Sequence, residues 1–128
     1  MSDAPKFDWV TQRSLCSFPN VFKELKLQVE EDVKTRNALR PNNSLYEFSV
    51  ADGGDDFAVH LKAGEFQKSV IFSLAEHAIV VRDDAGVMFE VTLTFNDEGQ
   101  CRLHIHQKEI ESWQVRRKAL EDLLFRSI

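Results

Sequence analysis

Alternation of apolar and polar residues over residues 45–106 constrains the fold of this chain more than any other sequence feature. Such alternation is typical of strands that bury one face. It is interrupted about every ten residues by groups rich in Asp, Asn and Gly, such as residues 83–86 and 96–99. Connections this short join antiparallel neighbours, because a parallel crossover needs a much longer segment. The pattern therefore predicts an antiparallel meander of about six strands over 45–106.

The segments on either side of the meander change to helical spacing. Residues 19–37 form an amphipathic pattern, with Ser17 as a candidate N-cap and Pro19 in the first turn. A second apolar stripe predicts a C-terminal helix over 108–127, and its members are Ile110, Trp113, Leu120, Leu123 and Leu124. We expect Trp113 to pack on the sheet, although an aromatic residue on a terminal helix can instead anchor a partner.

Residues 1–16 carry the weakest pattern. Phe7, Trp9 and Val10 form a short apolar group that fits either a strand or an N-terminal arm packed on the body. The arm, the meander and the two helices together predict a single α+β domain over residues 1–128. Both helices are expected on the apolar face of the sheet. The other face stays free, and its polar residues are the partner-binding candidates: Glu47, His60, Glu90, Thr92, Arg102 and His104.

Charge and hydropathy exclude two classes of partner. The formal net charge is −5, and the strongest basic cluster, residues 116–118, is flanked by acidic residues. A nucleic-acid-binding domain carries a basic stripe, so we expect no nucleic-acid partner. The apolar runs are only a few residues long, far short of a membrane span, so we expect no membrane partner either.

The cysteines and the N-terminus indicate a compartment. Cys16 and Cys101 are too few for the disulfide framework of a secreted domain, and Met1–Lys6 lacks a hydrophobic signal region. The sequence therefore predicts a soluble cytoplasmic protein with both thiols reduced. Cys101 is expected to be buried, because it lies on the same face of the predicted strand as the core-facing residues Leu103 and Ile105.

His104 and His106 form the sharpest candidate for chemistry. Residues two apart on a strand share a face, so both imidazoles could bind one metal ion, with Glu109 or Glu111 adding a carboxylate. The spacing His-x-His-x4-Glu, ending at Glu111, resembles the first half of the cupin metal motif. Position 118, however, is a lysine where that motif has glycine, and no second motif follows.

No other catalytic or cofactor signature occurs, and GxSxG, GxGxxG and GxxxxGK(S/T) are absent. We therefore expect no cofactor and a small acidic binding or adaptor protein, of the chaperone, inhibitor or immunity kind, that contacts another protein or a second copy of itself. One alternative is a domain that binds an apolar ligand, because a meander around a C-terminal helix resembles the helix-grip folds. A second alternative is a metal-dependent enzyme that uses His104 and His106.

Overall fold

Seven antiparallel strands, each hydrogen-bonded to the next in chain order, form the sheet of the computed structural model, which describes residues 6–127. They are β1 (Tyr46–Asp52), β2 (Asp56–Ala63), β3 (Phe66–Leu74), β4 (Ile79–Asp83), β5 (Gly86–Phe95), β6 (Cys101–Ile105) and β7 (Lys108–Ile110). The predicted meander is confirmed. The reversal near Ala75-Glu76, which lacks glycine, is closed by a hydrogen bond from Ala75 N to Ala78 O at 2.9 Å.

The strand that the sequence did not predict is β7. It pairs with β6 through a turn at His106 and Gln107, whose φ angles of 53° and 66° fit a two-residue hairpin turn. This dipeptide lacks the Asn or Gly usual at such positions, and a strand of three residues is too short to show alternation. The C-terminal helix therefore begins at Ser112 and not at residue 108.

The helices are α1 (Trp9–Leu15), α2 (Phe18–Ala38) and α3 (Ser112–Glu121), and a π-helical turn (Asp122–Arg126) extends α3. The predicted helix over 19–37 is confirmed, and Ser17 Oγ accepts a hydrogen bond from Asn20 N at 3.3 Å. The predicted strand or arm over 1–16 is a short helix in its described part, and positions 1–5 of that arm lie outside the described residues. Asp8 caps α1 by accepting a hydrogen bond from Thr11 N. This N-cap was not recognised in the sequence, because the apolar group at residues 7–10 suggested a strand.

Both helical segments cover the same face of the sheet, as predicted. The buried side chains of α2, of α3 with its π-helical turn and of the sheet form one cluster. At its centre, the Phe57 ring lies 5.2 Å from that of Phe22 in α2 and stacks on that of Phe72 at 4.6 Å. Large rings of this kind bury much apolar area and fix the position of α2 on the sheet.

A disulfide joins Cys16, between α1 and α2, to Cys101 at the start of β6. The prediction of two reduced thiols is therefore wrong, and so is that of a buried Cys101, since Cys101 is exposed and Cys16 is buried. The residues are 85 positions apart, and local patterns carry no information on contacts at that separation. None of the residues of α1 is buried, so the disulfide is its main tie to the sheet.

A second contact holds the N-terminal segment beside the β5–β6 turn. Phe7 packs on Gly99 so closely that a Cβ atom at Gly99 would lie 2.3 Å from Phe7 Cζ. Gly99 also has a φ of 76°, which glycine adopts without strain. Among the helices within residues 6–127, none is long and apolar enough to span a membrane.

Candidate functional site

The open face of the sheet carries all the predicted partner-binding residues, but it does not gather them into one site. Glu47 lies on the edge strand β1, and His60 lies on β2 opposite Ser49 and Ser69. The other four are neighbours, because Thr92 pairs with His104 across β5 and β6 and because Glu90 and Arg102 each lie two residues away on the same strands. Glu90 lies on β5 opposite Val80 of β4.

Polar side chains on this open face hydrogen-bond one another across the strands. His60 Nδ1 lies 2.6 Å from Ser69 Oγ, and His104 Nε2 lies 2.8 Å from Thr94 Oγ1. Arg102 Nε lies 3.6 Å from a carboxylate oxygen of Glu109. Cross-strand pairs of this kind stabilise a sheet, so these polar groups already have a structural role.

The predicted metal pair does not lie on one regular strand. His104 lies on β6, whereas His106 is a turn residue with positive φ, so the strand alternation that predicted a shared face ends at Ile105. Of the two predicted carboxylate ligands, Glu109 pairs with His104 across β6 and β7, but its carboxylate also faces the guanidinium of Arg102. Glu111 accepts a hydrogen bond from Trp113 Nε1 at 2.8 Å. Within the described part of the chain, no three His, Cys, Asp or Glu side chains converge as a metal site would require.

The helical layer carries a groove that the sequence did not predict. It runs between α2 and the C-terminal helix and has a volume of about 430 Å³. Its lining includes the apolar side chains of Leu39, Trp113, Leu120, Leu124 and Phe125. Trp113 is 50% exposed and Phe125 is 61% exposed, so two large aromatic side chains lie in this groove without being covered. We call this surface the helix groove.

One wall of the helix groove is fixed by polar contacts between two helices that run in the same direction. Arg116 donates two hydrogen bonds to the carboxylate of Asp32, at 2.7 and 2.8 Å. One turn further along α2, Arg36 Nε donates to the carbonyl of Leu124 at 2.9 Å. Asp32 and Arg36 are four residues apart and share one face of α2. Because hydrogen bonds between ionised groups are short and strong, the Asp32–Arg116 contact helps to hold the two helices together.

The π-helical turn and Arg36 together place Phe125 in the groove. A π-helical turn is wider than an α-helical one, so it shifts the residues that follow relative to a continuous α-helix. The guanidinium carbon of Arg36 then lies 5.0 Å from the centre of the Phe125 ring, within cation–π range. Turns of this kind are rare and frequently occur at functional sites.

The expectation that Trp113 packs on the sheet is wrong. Because β7 occupies residues 108–110, the helix begins later than predicted, and Trp113 lies in its first turn with its Nε1 bonded to Glu111. The C-terminal helix instead packs on the sheet through Val115, Ala119 and Leu123, which are almost fully buried. The sequence pattern did not single out Arg117, Glu121 or Phe125 as site residues. They follow Trp113 at successive intervals of four residues, which could have indicated a shared face.

Comparison of the chain with protein-family models, with curated proteins and with solved structures finds no match.

Proposed function

We propose that this chain is a non-enzymatic binding protein that acts through protein–protein contact, and that the helix groove is its contact surface. The observation that carries the proposal is the exposure of Trp113 and Phe125 in one groove of the helical layer. Tryptophan is enriched among the residues that dominate binding energy at protein interfaces. The open face of the sheet, which the sequence pattern favours as the contact surface, has polar groups that already bond one another.

Two physical terms favour binding in the helix groove. Full burial of an exposed large apolar side chain contributes about 1.5–3 kcal/mol, and covering Trp113 and Phe125, which are partly covered already, contributes a fraction of that each. The wall of the groove is already held by the Asp32–Arg116 pair and the Arg36–Leu124 bond, so little ordering is required when a partner binds. An open groove between two helices suits the apolar face of a third helix, which is a recurrent mode of peptide recognition.

The other functions considered from the sequence have less support. A helix-grip domain would hold its ligand between sheet and C-terminal helix, where Val115, Ala119 and Leu123 are packed in the core. A metal-dependent enzyme would need a third ligand beside His104 and His106. Glu109 lies opposite His104 but faces the cation of Arg102, which opposes metal binding, and Glu111 bonds Trp113.

The cytoplasmic location is a separate proposal, and the disulfide weighs against it. Disulfides persist mainly in oxidising compartments. Rapid acid quenching of cells, followed by thiol labelling and mass spectrometry, would measure the oxidation state of Cys16 and Cys101. Two free thiols would support the cytoplasm, and a bonded pair would contradict it.

Site-specific photo-crosslinking tests the contact surface. We expect a benzoylphenylalanine at position 117, in the lining of the helix groove, to capture a protein in cells that produce the chain. The same probe at position 90, on the open face of the sheet, should capture little. The captured protein is then identified, purified and titrated against the wild-type chain.

Matched variants decide whether the groove is responsible for that binding. Trp113→Ser with Phe125→Ser should weaken binding of the captured protein at least about tenfold. Trp9→Ser with Phe66→Ser removes the same two residue types from exposed positions outside the groove and should leave binding unchanged. Capture mainly at position 90, or equal binding by both double variants, would overturn the proposal.

A further inference from the structure

Four residues spaced four apart form a stripe on the C-terminal helix: Trp113, Arg117, Glu121 and Phe125. All four line the helix groove. Arg117 and Glu121 are linked within the helix by an ion pair of 3.3 Å, and their side chains are 63% and 35% exposed. The stripe thus presents an aromatic group at each end with a cation and an anion between them.

This order makes the stripe complementary to itself. When a second copy of the helix is placed antiparallel, with a two-fold axis at the level of residue 119, residue 113 lies opposite residue 125 and residue 117 opposite residue 121. Trp113 then meets Phe125 of the second copy, and Arg117 meets Glu121 of the second copy. A contact of this kind uses the same patch on both subunits and closes after two copies, as most homodimers do.

The balance of charge in the helix groove permits a second copy there. The chain as a whole is acidic, with a net charge of −5, so two copies repel each other over most of their surfaces. The charged residues that line the helix groove are three cations and two anions: Arg36, Arg116, Arg117, Asp32 and Glu121. The groove is therefore a surface on which two acidic copies can meet without strong local repulsion.

We propose that the helix groove is covered by the same surface of a second copy of this chain, in a two-fold dimer whose two C-terminal helices face each other antiparallel. This inference rests on the proposed function, because it names the partner of the same groove. The dimer covers two tryptophan and two phenylalanine side chains and forms two symmetry-related Arg117–Glu121 contacts between the subunits. Aromatic side chains at the ends of the contact contribute most of the buried area, and the charges set the antiparallel register.

Sedimentation equilibrium over about 1 µM to 1 mM protein tests the dimer. We expect the mass to rise from 14.7 kDa toward twice that value as concentration increases. Arg117→Glu alone and Glu121→Arg alone each place two pairs of like charges at the dimer contact, and each should weaken dimerisation at least about tenfold. Circular dichroism of the variants confirms that each one is folded.

Mixing the two single variants separates contacts between subunits from the ion pair within one helix. The Arg117→Glu chain carries a carboxylate at both positions 117 and 121, and the Glu121→Arg chain carries a guanidinium at both. A mixed dimer therefore pairs opposite charges across the contact and should form, although neither variant dimerises alone. The ion pair within each helix stays broken, which means that it cannot cause the recovery. A wild-type chain that is monomeric at every concentration, or a mixture that does not recover, would overturn the proposal.

The two proposals fail in different ways. A monomeric wild type whose groove still binds a photo-captured protein, with loss of binding in Trp113→Ser/Phe125→Ser, rejects the second copy and supports the binding function. A wild type that dimerises equally well with and without Trp113 and Phe125 rejects the second copy at this groove. Absence of both self-association and groove-dependent capture rejects both proposals.

Discussion

The open face of the sheet and the outer surface of the helical layer differ in the kind of exposed side chain that they carry. On the open face, His60 and His104 lie within hydrogen-bond distance of cross-strand hydroxyl groups, and Arg102 faces the carboxylate of Glu109. The opposite face is covered by helices, and the outer surface of that helical layer leaves Trp113 and Phe125 exposed. Exposure of a polar residue is therefore a weak sign of binding, because water and neighbouring strands satisfy it. Exposed aromatic groups in a shared groove are a stronger sign, because only a partner can cover them.

Two consecutive residues of β3 allow the strongest test of this contrast. Phe72 points to the helices and has no exposed area, whereas Ile71 points to the open face and is half-buried. We expect Phe72→Ala to lower the free energy of unfolding by about 3–5 kcal/mol, since it leaves a cavity in the packed core. Ile71→Ala should cost about 1 kcal/mol, because no layer covers it. Urea denaturation of both variants measures the two losses.

Equal losses for the two variants would contradict the contrast. They would mean that the open face is also buried, as it would be if a stable assembly covered it. Repeating the denaturation at several protein concentrations distinguishes that case, because the stability of an assembly depends on concentration.

Strand alternation explains why this part of the structure could be predicted from the sequence. In β3, the period of two assigns Phe72 to the covered face and Ile71 to the open face without any knowledge of distant contacts. The same period predicted the meander and the side on which the helices pack, and the helical period predicted α2. Each of these features depends on residues close together in the sequence.

The features that escaped prediction depend on weak local signals or on distant contacts. His106 and Gln107 form a hairpin turn without the usual turn residues, so β7 was predicted as the start of a helix. That error carried over to Trp113, which was assigned to the sheet side. Phe125 reaches the helix groove through a π-helical turn and a contact with Arg36 of α2, neither of which a regular helical period predicts.

The disulfide joins the helical layer to the sheet at Cys16 and Cys101, so its removal tests how much this covalent link stabilises the attachment of the two layers. Closing a segment of 85 residues restricts the unfolded chain, and disulfides of this kind contribute about 2–4 kcal/mol. We expect a dithiol reductant to lower the free energy of unfolding by that amount, as measured by urea denaturation. Two thiols form on the protein as the dithiol becomes a disulfide.

A double variant controls for effects of the reductant itself. Cys16→Ser with Cys101→Ser should match the reduced protein in stability and should not respond to reductant. Because α1 has no buried residue, its amide protons should also exchange faster once the disulfide is lost, while those of β3 change less. Unchanged exchange in α1 after reduction would show that other contacts, such as Phe7 on Gly99, suffice to hold it.

The smallest expected effect concerns an ion pair at the edge of the helical layer, where Lys26 of α2 bonds Asp52 at the end of β1. The hydrogen bond from Lys26 lowers the pKa of Asp52, with help from the backbone N–H of Gly54. The bond to Asp52 raises the pKa of Lys26. The Asp52 contribution is present above its unfolded pKa, about 3.9, and is lost as pH falls through the lower folded pKa. The Lys26 contribution is present below its unfolded pKa, about 10.4, and is lost as pH rises through the higher folded pKa.

Asp52→Asn isolates this contribution, because asparagine keeps an oxygen that can accept from Gly54 and removes only the charge. The wild type should be slightly more stable than the variant on a plateau between about pH 4 and pH 10, and the difference should shrink toward both ends of the range. Solvent reaches both side chains, so the plateau should also fall in high salt. Lys26→Met should remove the same plateau, and combining the two substitutions should cost little more than either alone. A difference that stayed constant down to strongly acidic pH would mean that the introduced asparagine disturbs the β1–β2 turn, and that the charge of Asp52 contributes nothing to the attachment of α2.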